Sequence, residues 1–545
     1  MPPSVPVDPL GGSKLALSGR VVTMNSQFKV LARGVVYVDR GVIVAVQDAA
    51  APPPAGFEGT RVVASGGTLF PGLIELHNHL AYDVLQLWKV PRKFANRDQW
   101  GGTPDYRRLV TGPMTVLGQT ADLLPALIRY VECKCLLGGV TTSQGIELFS
   151  NHGGRRFYRG VVRNVEQTDD PDLPEAKAKI ADIEASDARR FLARLMRQSC
   201  FLLHLSEGTN ESAREHFRAL RIGGTDWAIT SALTGIHCAA LQPDDFAILG
   251  ERKGSMVWSP LSNLLLYGAT ANVRAARARG VRIALGSDWS PTGSKNLLGE
   301  LKVAWLASLN DGNSFSQRDI VAMATREAAA VLGWGEVLGS IQPGMRADLL
   351  VVDGEAGDPY AELLKAGEAS IRLVFVNGVP RFGQRRLMKS LGAAGEAISV
   401  GGKARVINLE HPGADPVVGA ITLSGASKTL ADALRRLPKL ARDLEAGRSG
   451  VRATSRGGPP TWFLVLDELA ETGIELRPRL PAPGSRRRTG PSIQNRRAAV
   501  PFSRIAEPMT LDPLTVADDK EFLGRIEGQT VLPEFVKTGL RGLFP

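Results

Sequence analysis

Short apolar blocks broken by Gly, Pro and Asp make up the first part of the chain. Leu15-Ala16-Leu17, Arg20–Met24, Gly34–Val38 and Val42–Val46 read as strands, with Asp39-Arg40-Gly41 as a hairpin turn. Pro52-Pro53-Pro54 marks a loop. From Leu69 the pattern changes to apolar runs of strand length, many followed by a stretch of helical period. The run Leu69–Leu76 is the first, entered through the turn Pro71-Gly72. A helix is predicted over Thr120–Leu137, with Leu123, Leu124, Leu127, Ile128 and Val131 on its apolar face and Gly138-Gly139 as its stop. Strands are predicted at Val140–Ser143, Gly160–Val165, Phe201–Leu205, Thr234–Cys238, Met256–Pro260 and Val281–Gly286. Helices over Ala185–Gln198, from Gly208 through Arg221, from Pro243 and over Asn272–Arg279 lie between them. Alternation at this pace predicts an α/β chain built on a parallel barrel.

Ala347–Val352 and Leu373–Val376, with the turn Asn377-Gly378, return to strand character, so the small β unit is expected to draw on both flanks of the barrel. The expected organisation is residues 1–66 and 340–385 as one composite β-sandwich, 67–339 as a (β/α)8 TIM barrel, and 386–545 as a C-terminal extension. The extension holds an amphipathic helix, Lys428–Glu445, and a strand candidate, Trp462–Leu466. A packing or oligomerisation appendage is its expected role, which leaves a homo-oligomer open. Leu80–Gly118, rich in Trp, Arg, Asn, Pro and Gly, follows the first barrel strand and is expected to cover the site; the alternative is a surface excursion packed by its own aromatics. The interval from Thr142 to His204 is short for two complete strand–helix units, so the register of the third and fourth strands stays open.

At 545 residues and 43% apolar, the chain has material for more than one domain and a real core. It has no apolar run of about 18 residues, so no membrane span is expected. The start, Met1–Pro6, does not have the form of a secretory signal. Cys133, Cys135, Cys200 and Cys238 match neither a disulfide framework nor a zinc finger, so reduced thiols and a cytoplasmic setting are expected. The net charge is +11, and the densest basic run, Ser485–Arg488 with Arg496-Arg497 just after, lies among Pro, Gly and Ser. Without interleaved aromatics this reads as a solvated loop and argues against nucleic-acid binding.

The candidate chemistry lies in the histidines. In Leu76-His77-Asn78-His79 a strand would present both rings on one side. Of the seven histidines, His204 and His237 also sit at strand ends, and Asp288 follows the run Val281–Gly286. Imidazoles and a carboxylate suit a divalent metal with a position left for water. His216 reads as a solvated helix residue and His411 as part of a turn.

In the order His-x-His, His204-x-x-Glu207, His237 and Asp288 the sequence resembles the amidohydrolase superfamily, in the branch of cytosine deaminase, guanine deaminase and the triazine chlorohydrolases. Pro71–Glu75, Ser259–Leu264 and Gln342–Leu349 add to the resemblance, which covers roughly residues 14–385. It implies that His77, His79, His204 and Asp288 hold one metal, Zn2+ first, Fe2+ or Mn2+ as alternatives. It gives Asp288 the water's proton, Glu207 the proton relay to substrate nitrogen, and His237 a catalytic hydrogen bond, with ligation open. No lysine fits a bridge between two metals, because Lys177 and Lys179 sit in a charged context read as helical. Trp289, Asn263 and Arg97 are the expected substrate-binding residues, Trp289 stacking on a planar ring or packing; Lys295 reads first as a solvated helix-start residue, with contact to an acidic group as the alternative.

The implied function is metal-dependent hydrolysis of a non-peptide carbon–nitrogen bond in a small nitrogen heterocycle, by deamination or ring opening. The alternatives are a chlorohydrolase, a cyclic amidase, or an inactive binding or assembly protein on the same barrel.

Overall fold

The computed structural model describes residues 12–179, 187–450, 460–466 and 500–544. The basic run at 485–488 and 496–497 lies outside them.

Eight parallel strands carry the candidate site: β1 (Leu73–Glu75), β2 (Val140–Ser143), β3 (Arg163–Asn164), β4 (Ala176–Lys179), β5 (Cys200–Leu205), β6 (Leu233–His237), β7 (Ser255–Trp258) and β8 (Arg282–Leu285). They pair in chain order in two sheets, β1-β2-β3 and β4-β5-β6-β7-β8. The Val165 carbonyl accepts from Ala176 N–H at 2.8 Å, joining the margins of β3 and β4. At the other margin Asn78 and Asp288 form a parallel bridge, with Asp288 N–H donating to the His77 carbonyl at 2.8 Å and His79 N–H to the Asp288 carbonyl at 2.7 Å. All four residues of β2 and of β7 are buried, as expected where both sheet faces are covered.

Between β2 and β3 a hairpin, Glu147–Ser150 with Arg155–Phe157, stands where a helix would otherwise return, and β3 and β4 are joined without a helix. This is how the short Thr142–His204 interval is used. Only Arg163–Asn164 of the apolar stretch 160–165 pairs as strand. Lys177 and Lys179, expected in a helix, lie in β4, which pairs in parallel with β5. Local helix-favouring composition is overridden by that pairing; Lys177 is exposed and bonds to Glu175 at 3.1 Å.

A nine-stranded sheet stands beside these strands, in the order 396–400, 403–407, 379–384, 371–376, 349–353, 62–71, 15–22, 30–39 and 42–48. Val62–Pro71 is its hinge element, parallel to Leu15–Val22 and antiparallel to Leu349–Asp353. Two of its strands, Glu396–Val400 and Lys403–Ile407, come from sequence assigned to the extension. Their alternate residues continue the antiparallel ladder from Val379–Gln384.

The expected helix over 428–445 is two helices, Leu423–Arg435 and Leu437–Gly450. Pro438 is the reason: without an N–H it is tolerated in a first turn and breaks a helix interior. The first of the two packs on the helix Leu124–Leu137. Trp462–Leu464 adds to the hairpin strand Glu147–Ser150. The extension is therefore seated on the parallel-strand body at several points. Among the described residues no helix is long and apolar enough to cross a membrane.

Candidate metal centre and catalytic residues

The C-terminal ends of β1, β5, β6 and β8 bring His77, His79, His204, His237 and Asp288 together. His77, His204 and His237 have ligand atoms all within 4.8 Å of one another, and so do His77, His79 and Asp288. His77 Nε2 lies 3.0 Å and His79 Nε2 3.5 Å from Asp288 Oδ1. The approach of β8 to β1 needs Gly286, where a Cβ would fall 2.4 Å from His77 Cβ. Beyond the strand ends Ser206, His237 and Asp288 adopt left-handed backbone, φ 53°, 66° and 68°. Such conformations cost about 1–3 kcal/mol each and turn the side chains inward where a strand would continue.

Hydrogen bonds assign the protons. Gln144 Oε1 accepts the backbone N–H of Asn78 at 3.0 Å and lies 3.3 Å from His77 Nδ1. With Nδ1 donating, His77 Nε2 presents a lone pair to the carboxylate, and it has no hydrogen-bond partner. Two electron-rich atoms at 3.0 Å with no proton between them fit a bound cation. His204 Nδ1 is likewise buried without a hydrogen bond. Burial, then the neighbouring His77 and His79, holds His204 well below the usual imidazole range, so it is neutral as a ligand must be.

A separate chain of bonds sets His237. Trp258 Nε1 donates to Thr270 Oγ1 at 2.7 Å, the Thr270 hydroxyl donates to Asn263 Oδ1 at 3.3 Å, and Asn263 Nδ2 donates to His237 Nδ1 at 3.0 Å. The ring therefore carries its proton on Nε2, which faces Glu207 Oε2 at 3.8 Å. Burial pulls the His237 pKa down to about 4, keeping the ring neutral. Asn263 thus orients a site histidine from a fully buried position.

Glu207 is held from three sides. Tyr267 hydroxyl donates to Oε1 at 2.7 Å and itself accepts from Trp100 Nε1 at 2.8 Å. Arg97 lies 3.5 Å from Oε2. The Leu80–Gly118 segment delivers Arg97 and Trp100 here through the short helix Arg97–Trp100, and its aromatics Tyr82, Trp88, Trp100 and Tyr106 are buried. Trp289 is 4% exposed and meets the rings of His79 at 5.2 Å, Tyr82 at 5.0 Å, Tyr106 at 6.1 Å and Trp100 at 6.3 Å.

Lys295 corrects the expectation of a solvated residue. It is 3% exposed, and its Nζ donates to Asp512 at 2.6 Å and lies 3.0 Å from Asp519. A cation that far from solvent needs carboxylate partners, and the extension supplies them. Sequence reading also missed Tyr267, Gln144 and Glu75. Glu75 was within reach of the strand alternation that singled out His77 and His79. It accepts from Ser287 N–H and Oγ–H at 2.9 and 2.7 Å, yet burial pushes its carboxyl up to about 8. Tyr267 and Gln144 carry no local signal.

A model of the amidohydrolase family matches residues 199–381. The 5-methylthioadenosine/S-adenosylhomocysteine deaminase of Symbiobacterium thermophilum is 28% identical over 384 residues, 62% of this chain and 84% of that one. The 5'-deoxyadenosine deaminase of Methanosarcina mazei is 23% identical, over 66% of this chain and 90% of its own. Among solved structures, a zinc-bound adenosine deaminase from Xanthomonas campestris is similar with a TM-score of 0.53 at 21% identity, covering 70% of this chain and 98% of its own.

Proposed function

We propose that this chain, which is similar to the amidohydrolase superfamily, is a mononuclear, metal-dependent deaminase of adenine-type nucleosides. It is a hydrolase of carbon–nitrogen bonds other than peptide bonds. The eight parallel strands are read as a closed (β/α)8 barrel, a reading supported by the bonds that join β3 to β4 and β8 to β1. In such a barrel, chemistry gathers at the C-terminal strand ends.

One observation carries the functional reading: the lone pair of His77 Nε2 and the Asp288 carboxylate face each other at 3.0 Å without a proton between them, beside His237, whose Nε2 lies 3.8 Å from Glu207 Oε2. His77, His79, His204 and Asp288 would hold a divalent ion, with Zn2+ the first choice because the donor set is imidazole and carboxylate. When bound, the ion lowers the pKa of a coordinated water from near 16 to about 7. With that water in place, Asp288 would take one of its two protons and Glu207 the other as the oxygen adds to the amino-bearing ring carbon. Glu207 protonates the adjacent ring nitrogen, and His237 Nε2–H donates to the developing oxyanion. The proton held by Asp288 would reach the amino group by way of Glu207, so that the carbon–nitrogen bond breaks and ammonia leaves as the ring carbonyl forms, with both carboxylates returned to their starting state. Trp289, Tyr82 and Trp100 offer faces and edges to a planar base, and Arg97 lies 3.5 Å from Glu207 Oε2.

The test is metal content per chain on protein purified without added metal, followed by ammonia release from adenosine, 5'-deoxyadenosine, 5-methylthioadenosine and S-adenosylhomocysteine. About one ion per chain is expected, lost in His204→Ala. Glu207→Gln should keep the ion and lower ammonia release about 10²–10⁴-fold. Two ions per chain, or none after supplementation, would overturn the mononuclear reading. Halide release from a chlorotriazine without ammonia release would replace deamination by the chlorohydrolase alternative.

A further inference from the structure

The C-terminal segment 500–544 reaches the outer side of the covering segment and of the loop that follows Asp288. Asp512 is 1% exposed. Its N–H donates to the Val84 carbonyl at 3.0 Å, and its own carbonyl accepts from the Tyr130 hydroxyl. Its carboxylate takes Lys134 Nζ at 2.6 Å and Lys295 Nζ at 2.6 and 2.7 Å. Lys134 Nζ donates in turn to the Asp83 carbonyl at 2.8 Å and to Ser290 Oγ at 2.7 Å, and the Asp83 carboxylate accepts Ser290 N–H at 2.7 Å. One buried carboxylate from the extension thus fixes the turn after His79 and the loop after Asp288 through a single lysine.

Gln529, 2% exposed, makes a second such contact. Its Oε1 accepts Val90 N–H at 3.1 Å and its Nε2 donates to the Trp88 carbonyl at 3.0 Å. Trp88 N–H donates to the Pro291 carbonyl at 2.7 Å, so the residue held by Gln529 is itself tied to the Asp288 loop. Further along, Arg108 pairs with Glu507 at 2.7 Å, and Gly112 lies against the Phe502 ring so closely that a Cβ would fall within 2.1 Å of it. Backbone amides in an irregular segment need partners once buried, and here the partners are side chains more than 400 residues away.

We propose that Asp512 and Gln529 are positioning residues for the site, and that the extension works as a strap holding segment 80–118 and the Asp288–Pro291 loop over the metal centre. The catalytic part of this proposal rests on the deaminase reading; the mechanical part does not. Asp512→Ala would leave two buried lysines without their carboxylate and can fail to fold, so the decisive variant is the neutral Gln529→Ala in the full-length, zinc-supplemented protein.

Hydrogen exchange and steady-state kinetics are read together, with the adenine nucleoside that wild type turns over fastest as the probe. Loss of two hydrogen bonds should speed amide exchange over residues 84–100 about tenfold, leave β5 unchanged, and raise KM about fivefold while kcat stays within about twofold. Metal content should match wild type. Unchanged exchange at 84–100, or acceleration spread equally over β5, would overturn the strap. Local acceleration with unchanged KM would overturn the positioning role. If wild type releases no ammonia from any nucleoside, the deaminase reading falls, while the exchange result still judges the strap.

Discussion

In the proposed mechanism a carboxylate that relays protons must keep one orientation through two transfers, and Glu207 is held by a residue to which that mechanism gives no step of its own. Tyr267 hydroxyl, fixed from behind by Trp100 Nε1, donates to Glu207 Oε1. A hydrogen bond to a charged group contributes about 1.5–3 kcal/mol. Tyr267→Phe should therefore lower kcat about 10- to 100-fold, with KM within about threefold and the metal retained. A kcat equal to that of wild type, measured at saturating substrate, would remove Tyr267 from this role. The same logic separates Asn263 from the substrate-contacting group in which the sequence places it. Its amide bonds to Thr270 and His237, so in the proposed mechanism it acts on the substrate through the imidazole.

At the scale of elements, the covering segment is built into the site as an added edge. Asn96 and Gly208 form an antiparallel bridge, Thr209 N–H donates to the Ala95 carbonyl at 2.8 Å, and Arg97 N–H donates to the Glu207 carbonyl at 3.3 Å. This contact is possible because residue 208 is glycine. Its φ is +147°, and a Cβ would meet the Ala95 carbonyl oxygen at 2.6 Å and Asn96 Cα at 2.7 Å. Neither neighbour is a flexible side chain, so the segment would have to move. Gly208→Ala should displace Arg97 and Trp100 from Glu207 and lower kcat/KM about tenfold or more, with metal content near that of wild type. A variant with unchanged kcat/KM would show that the segment's edge pairing does not govern the site.

For the whole molecule, buried carboxyl groups set a pH signature apart from catalysis. Burial raises the Glu166 carboxyl to about 7 from 4.5, while Gly145 N–H donates to it at 2.8 Å. A carboxyl raised in the folded state binds its proton more tightly there. Its contribution is complete below pH 4.5 and is lost as pH rises through about 7. The change is on the order of 3 kcal/mol. Glu166→Gln should flatten that part of the profile, read as the denaturant midpoint at pH 5 against pH 8. An equal loss in variant and wild type would assign the slope to other groups. Burial also lowers Lys302 to about 8, so its unfavourable effect fades only above that pH, whereas Glu75 and Glu300, each raised to about 8, lose stability in the same window as Glu166 and leave the variant a partial slope.

What the sequence determined by itself was whatever a local period encodes. Alternation paired His77 with His79, although both fall just past β1, around the Asn78 bridge, and the regular spacing of apolar runs announced an α/β chain with His204, His237 and Asp288 at strand ends. Such features need only a few consecutive residues to be read. The tertiary structure alone decided what meets those strand ends from elsewhere. Tyr267 reaches Glu207 across 60 residues, Gln144 reaches His77 across 67, and Asp512 reaches Lys134 across 378. It also turned Lys177 and Lys179 into strand and Lys295 into a buried ion. Partners brought together over such distances leave no periodic trace in the chain, because the choice is made by burial: an ion or amide removed from water must find its counterpart wherever the fold delivers one.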